Sequence, residues 1–172
     1  QGPATDLRMM KPGKLSAFGV DFDIVDPERN GGRSCLVLSS GQKKFPAEKR
    51  VVLDGAGGEF RYLYLLHASA WTPAQMPIGT IIAEYADGRT KEITVHAGRD
   101  VGNWWNPDHL PNGIVLWRGD NRTSGIGLFF SQFKLDRDDP VKLTLRGVKS
   151  QLWLIPALTL ASGSIPLQGN DR

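Results

Sequence analysis

The chain has 172 residues, with 21 basic and 18 acidic side chains and a formal net charge of +3. Hydrophobic residues make up 40%, too many for a disordered chain, and the 20 glycines lack the every-third-residue period of collagen. Together with 11 prolines they interrupt nearly every window long enough for a helix, and no run of about eighteen apolar residues is present to span a membrane.

One domain with a sizeable core is expected at this length. Residues 1–14, ending in Met9-Met10-Lys11-Pro12-Gly13-Lys14, show no strand alternation and read as a leader that packs on the domain or precedes it. Val20–Val25 alternates apolar and polar, as a half-buried strand does. After the loop Asp26–Gly32 come strands at Ser34–Leu38 and Arg50–Leu53, the latter stopped by Asp54-Gly55. Tyr62–Ala68 is apolar on both faces, which predicts a central strand between two layers. Ile81–Tyr85 and Thr90–Val95 flank Asp87-Gly88, the signature of a tight hairpin with positive φ. Ile114–Trp117, Gly127–Phe133, Val141–Leu145 and Leu152–Leu160 follow, and Pro156 predicts an edge or a bulge in the last. About ten short strands with regular turn signals predict an all-β, antiparallel β-sandwich of jelly-roll type over residues 15–161, followed by a loose tail at 162–172.

The charge is scattered. The densest cationic run, Lys43, Lys44, Lys49 and Arg50, is broken by Phe45, Pro46 and Glu48, which argues against a nucleic-acid partner. The single cysteine, Cys35, cannot form an internal disulfide and lies in an apolar stretch, where an inert thiol is expected. No secretory signal is legible at Gln1, as for an exported chain after trimming. No phosphate loop or nucleophile elbow is present, and His96 and His109 lack zinc-ligand spacing. His67, in the most apolar strand, reads as a hydrogen-bonded core residue. No pair of carboxylates stands out for glycoside hydrolysis, because most acids sit at turns. Were the chain a small glycan-acting enzyme, His67, Asp100 and Arg118 would be the first suspects.

Five tryptophans are more informative. Trp104 and Trp105 are adjacent in the loop Gly102–Pro107. Neighbours on an extended chain point opposite ways, so one ring can fill the core while the other faces solvent. An exposed indole can stack on the apolar face of a sugar while polar neighbours bind its hydroxyls. Trp104, Trp105, Trp71, Asp100, Asn103, Arg118, Asn121 and Arg122 form this candidate site. In the competing reading both loop rings are structural. Trp117 and Trp153 lie in strands and read as core or sheet-face residues. Asn121-Arg122-Thr123 also fits a glycosylation acceptor. In the Asp26–Gly32 loop, Asp26 and Asn30 are candidate ligands for a structural Ca²⁺, though both are ordinary turn residues too.

Several stretches carry a resemblance when taken in order. They are Val20-Asp21-Phe22-Asp23-Ile24 with Asp26-Pro27, Leu65-Leu66-His67-Ala68 with Trp71, Tyr85-Ala86-Asp87-Gly88, Asn103-Trp104-Trp105, and Val115-Leu116-Trp117-Arg118-Gly119. Across Leu15–Leu160 the chain resembles the galactose-binding-domain-like β-sandwich modules of bacterial polysaccharide-degrading enzymes. That resemblance implies a jelly roll and a non-catalytic role. It further implies a polysaccharide or glycan as ligand, a neighbouring catalytic domain as partner, and an extracellular or periplasmic location; many members of the superfamily carry a structural Ca²⁺. The alternative is a structural or protein-interaction sandwich of a larger secreted enzyme.

Overall fold

The structure is a computed structural model that describes residues 7, 9–41, 44–53, 59–121 and 124–167. Lys43, the Asp54-Gly55 strand stop, Arg122 and Thr123 lie outside the described residues. The described residues form β1 (Gly13–Ala17), β2 (Val20–Ile24), β3 (Leu36–Leu38), β4 (Glu48–Val52), β5 (Tyr62–Ala70), β6 (Pro77–Tyr85), β7 (Thr90–His96), β8 (Ile114–Asp120), β9 (Gly125–Lys134), β10 (Pro140–Gly147) and β11 (Leu152–Ala161). The expected all-β, antiparallel architecture is present. It is sandwich-like, with a four-stranded sheet ordered β4-β10-β6-β7, a five-stranded sheet ordered β3-β11-β5-β9-β8, and a separate β1-β2 hairpin.

β5 explains the layering. Every residue from Leu63 to Ala70 is buried, so both of its faces must be covered. On one face His67 meets Trp153 of β11, whose ring fills the space above Gly79 of the four-stranded sheet. On the other face Tyr64 stacks on Phe130 of β9 at 5.4 Å, and Phe22 of β2 meets the same Phe130 edge-on at 5.8 Å. The β1-β2 hairpin therefore covers the outer face of the five-stranded sheet, and Thr159 Oγ1 of β11 donates to the Asp21 carbonyl.

The outer face of the four-stranded sheet is left to solvent. Register aligns Glu48, Arg146, Thr80 and Thr94 in one row and Arg50, Thr144, Ile82 and Glu92 in the next. Arg146 and Arg50 both pair with Glu48, at 3.2 and 2.9 Å. This face is polar, ion-paired and without an aromatic ring among the described residues.

Two expectations need correction. Gly13 and Lys14 open strand β1 (Gly13–Ala17) and do not belong to a leader, while Met10 packs into the core, in line with the reading that the leader packs on the domain. The segment contains no β-branched residue, so its pattern is weak; it pairs because Phe18 and Gly19 form a two-residue turn with φ of 53° and 79°. The tail is not loose where it is described. Tyr64 Oη lies 2.8 Å from the Gly163 carbonyl, and Gln132 Oε1 accepts from Ile165 N at 2.8 Å. Pro156 marks a bulge, as one of its two readings held, in a strand that lies between β3 and β5 and not at an edge. The Asp87-Gly88 hairpin is present, but only Gly88 has positive φ, at 82°; Tyr85 N still bonds Arg89 O across the turn.

The Gly79–Trp153 contact sets how closely the sheets approach. A Cβ on residue 79 would lie 2.3 Å from the Trp153 ring. Gly79→Ala is expected to destabilise by about 2–3 kcal/mol in urea unfolding. In a double-mutant cycle with Trp153→Leu the two changes should couple by at least about 1 kcal/mol; additive losses would mean that the contact does not set the spacing.

Candidate functional site

Register places the loops after β5, β7 and β8 at one end of the molecule. Ala70 sits opposite Leu152, Pro77 opposite His96, and Asp120 opposite Gly125. At that end β5 and β9 part, and their ladder stops at His67 and Phe129. Diverging buried strands leave backbone groups that need partners. Residues 102–106 supply them. Ser69 N donates to Gly102 O at 2.9 Å, and Trp104 N donates to Ser69 O at 3.0 Å. On the β9 side, Gly127 N donates to Trp104 O at 2.8 Å and Asn106 N to Gly125 O at 2.9 Å.

The extended path of this wedge separates the two indoles. Trp104 points inward and is 4% exposed, so it is an anchor and not a ligand-facing ring. Trp105 points outward and is half-buried. Trp71, in the β5–β6 loop, is 53% exposed. Its ring centroid lies 5.4 Å from that of Trp105, with the planes tilted by 56°. Trp104 supports Trp105 from beneath at 5.3 Å. Two rings of the predicted set thus share a solvent-facing ledge, and the third holds it in place.

Trp71 is held in an unfavourable backbone conformation, with φ of 57°. Gln75 in the same loop and Asn106 at the end of the wedge are also left-handed, at 65° and 46°. A bulky residue at positive φ costs about 1–2 kcal/mol and persists only where its surroundings impose it. Asn103 does so here. Its side-chain amide accepts from Thr72 N and donates to Thr72 O, both at 3.0 Å, and so clamps the residue after Trp71 to the wedge. Asn103 therefore positions Trp71 against Trp105, a role its type and place in the loop did not reveal.

Beyond Trp105 opens a cleft of about 420 Å³ lined by Asn106, Pro107, Asp108, Arg118, Gly119, Gly125 and Ile126. Arg118 is exposed and donates from Nη1 to Pro107 O at 2.9 Å, tying β8 to the wedge. Of these, only Arg118 was singled out from the sequence. Asn106 and Pro107 read as loop residues, and nothing local marks them or Asp108 as cleft walls.

The remaining predicted residues do other work. Asp100 is 1% exposed, and its carboxylate accepts from His96 N, Arg99 and Asn112. It pins the start of the β7–β8 loop from within and does not face the ledge. Asn121 is 4% exposed, and its Oδ1 accepts from Ser124 N at 2.9 Å, closing the β8–β9 turn. Both were expected in a polar rim. Both are buried because a short side chain satisfying turn backbone has to sit inside the turn.

The Asp26–Asn30 loop is a 3-10 turn over Pro27–Arg29. Asp26 accepts from Glu28 N at 3.0 Å and Asn30 donates its amide to Arg33 O at 2.9 Å. Among the described residues no three His, Cys, Asp or Glu side chains converge. Both side chains thus bond within their own turn.

His67 is a core histidine, as its strand implied. Its Nδ1 accepts from Trp153 Nε1 at 3.0 Å, which leaves the proton on Nε2 to donate to Ser131 Oγ at 2.8 Å. Ser131 in turn donates to the Asp100 carbonyl. Burial lowers the His67 pKa from 6.5 to about 4, so the ring is neutral at physiological pH. His67 does not line the clefts that hold Arg118 and Asp100, which are themselves separate. Cys35 is half-buried as a residue, but its thiol is desolvated, donates to Leu36 O, and has its pKa pushed up to about 12. It is protonated and unreactive at neutral pH.

No protein-family model matches the chain, and no curated protein matches it.

Two outcomes follow from these environments. The unfolded chain protonates His67 near 6.5 and the folded chain only near 4, so stability is fully present above pH 6.5 and falls as the pH drops between those values. The loss should be about 3 kcal/mol for this group. His67→Gln should flatten that part of the profile in urea titrations, and an unchanged slope would refute the assignment. Trp71→Gly relieves about 1–2 kcal/mol of strain, offset by about 1 kcal/mol of backbone entropy and about 1 kcal/mol of ring contact. The variant should therefore unfold within about 1 kcal/mol of the parent, and a loss of several would show that Trp71 is a structural residue.

Proposed function

We propose that the chain is a non-catalytic carbohydrate-binding module of the galactose-binding-like jelly-roll type. In this reading it works outside the cytoplasm beside a bacterial polysaccharide-degrading catalytic domain, and it holds its glycan on the Trp71–Trp105 ledge. The observation that carries the reading is the ledge itself. Exposing half of one indole and holding it at positive φ are both unfavourable for folding. The Asn103 side chain, the Thr72 backbone that it clamps and a buried third tryptophan maintain the arrangement nonetheless.

The chemistry suits a sugar. Pyranose rings present a C–H face to stack on an indole and hydroxyls to bind at the rim. Asn106, Asp108 and Arg118 offer amide, carboxylate and guanidinium groups in the adjoining cleft. The sheet faces are poor alternatives. One lies beneath the β1-β2 hairpin, and the other is ion-paired and free of aromatic rings among the described residues.

A protein-docking role for the same end draws on Met76, 45% exposed in the loop that carries Trp71. The two readings part on ligand. Affinity electrophoresis and a glycan array should show binding to a polysaccharide, weakened about ten-fold or more by Trp71→Gly or Trp105→Ala. Met76→Ala, which leaves both rings in place, should bind as the parent does. Absence of binding to every glycan, with stable association to a separately expressed catalytic domain, would favour docking instead.

A further inference from the structure

Building on the glycan reading above, we infer that the site takes a single, conformationally free polysaccharide chain that bends across the ledge, and that it does not take the flat face of a crystalline polysaccharide. The geometry of the two rings carries this. Trp71 and Trp105 are in mutual contact at 5.4 Å, which leaves no slot between them for a sugar ring. Each can offer only its outward face. Their planes are tilted by 56°, so the ledge is two facets and not one flat platform.

A crystalline surface holds its chains flat through their lateral neighbours, and a platform for it needs coplanar, fully exposed rings. Here one ring is exposed and the other is half-buried. A flat surface resting on Trp71 would meet Trp105 at its edge. A chain free in solution rotates about its glycosidic bonds, so consecutive sugars can follow the two facets in turn.

The walls point the same way. Next to Trp105 the surface falls into the cleft between Asn106, Asp108 and Arg118. A chain leaving Trp105 can dip into that cleft and exchange hydroxyl hydrogen bonds with its side chains. A rigid plane would span it and leave those groups unused. The backbone beneath both rings is also held. Asn103 clamps Thr72 with two hydrogen bonds, and Trp104 is buried beneath Trp105.

The test pairs soluble and crystalline forms of the same polymer. The full chain is run in native gels containing hydroxyethylcellulose, glycol chitin, xylan or galactomannan, and is separately mixed with microcrystalline cellulose or crystalline chitin and spun down. Retardation by at least one soluble polymer, with no depletion by the crystalline solids, is expected. Trp71→Gly and Trp105→Ala should each reduce that retardation about ten-fold or more in apparent affinity. Depletion by a crystalline solid as strong as the retardation by its soluble form would overturn the single-chain inference and leave glycan binding standing. No interaction with any polymer in either form would overturn the glycan reading, and this inference with it. Retardation unaffected by both substitutions in folded variants, checked by thermal unfolding, would place the glycan elsewhere and overturn the ledge.

Discussion

The molecule turns on what happens where β5 and β9 separate. Two strands that diverge inside a sheet strand their own N–H and C=O groups, and buried backbone groups without partners are costly. Residues 102–106 enter the gap and bond to Ser69 on one side and to Gly125 and Gly127 on the other. Because that segment is extended, alternate side chains face opposite ways. Trp104 is thereby driven into the core and Trp105 out of it. The candidate site is thus a consequence of backbone satisfaction at a sheet end, and the second indole is brought to the first by the Asn103–Thr72 clamp.

The same end of the core contains a run of polar groups with every proton assigned. The Trp153 indole donates to His67, His67 to Ser131, and Ser131 to the Asp100 backbone. The Asp100 carboxylate then gathers His96 N, Arg99 and Asn112. This chain ties the inter-sheet contact at Gly79 and Trp153 to the root of the β7–β8 loop. Two of the three residues that looked most reactive in the sequence, His67 and Asp100, are therefore tied into this buried run, and the solvent-facing chemistry is left to aromatic rings, turn residues and Arg118.

Much of the fold was legible because strand alternation and turn chemistry are local. Tyr62–Ala68 reads as a buried strand from its own residues, and Asp87-Gly88 as a turn from its own dihedral needs. Ser39–Lys49 and Gly13–Ala17 show the limit. The first hides the start of β4 in a loop-like run, and the second pairs only through its hairpin turn with β2. The site was legible by type but not by direction. Trp71, Trp105 and Arg118 face solvent, whereas Asp100 and Asn121 look like rim residues in one dimension and are buried in three.

What the amino-acid order determined by itself is an all-β, antiparallel chain, with its turns, an inert thiol, a hydrogen-bonded core histidine and a tryptophan pair able to face opposite ways. These follow from periodicity, φ preferences and polarity, which each short segment carries alone. Only the tertiary structure decided which of the paired rings faces out and that Trp71, 34 residues before Trp105, is its companion. It also decided that Asp26 and Asn30 serve their own turn. Those outcomes depend on which strands part, which loop fills the space between them and which backbone groups remain to be satisfied, and none of that is written in any one segment.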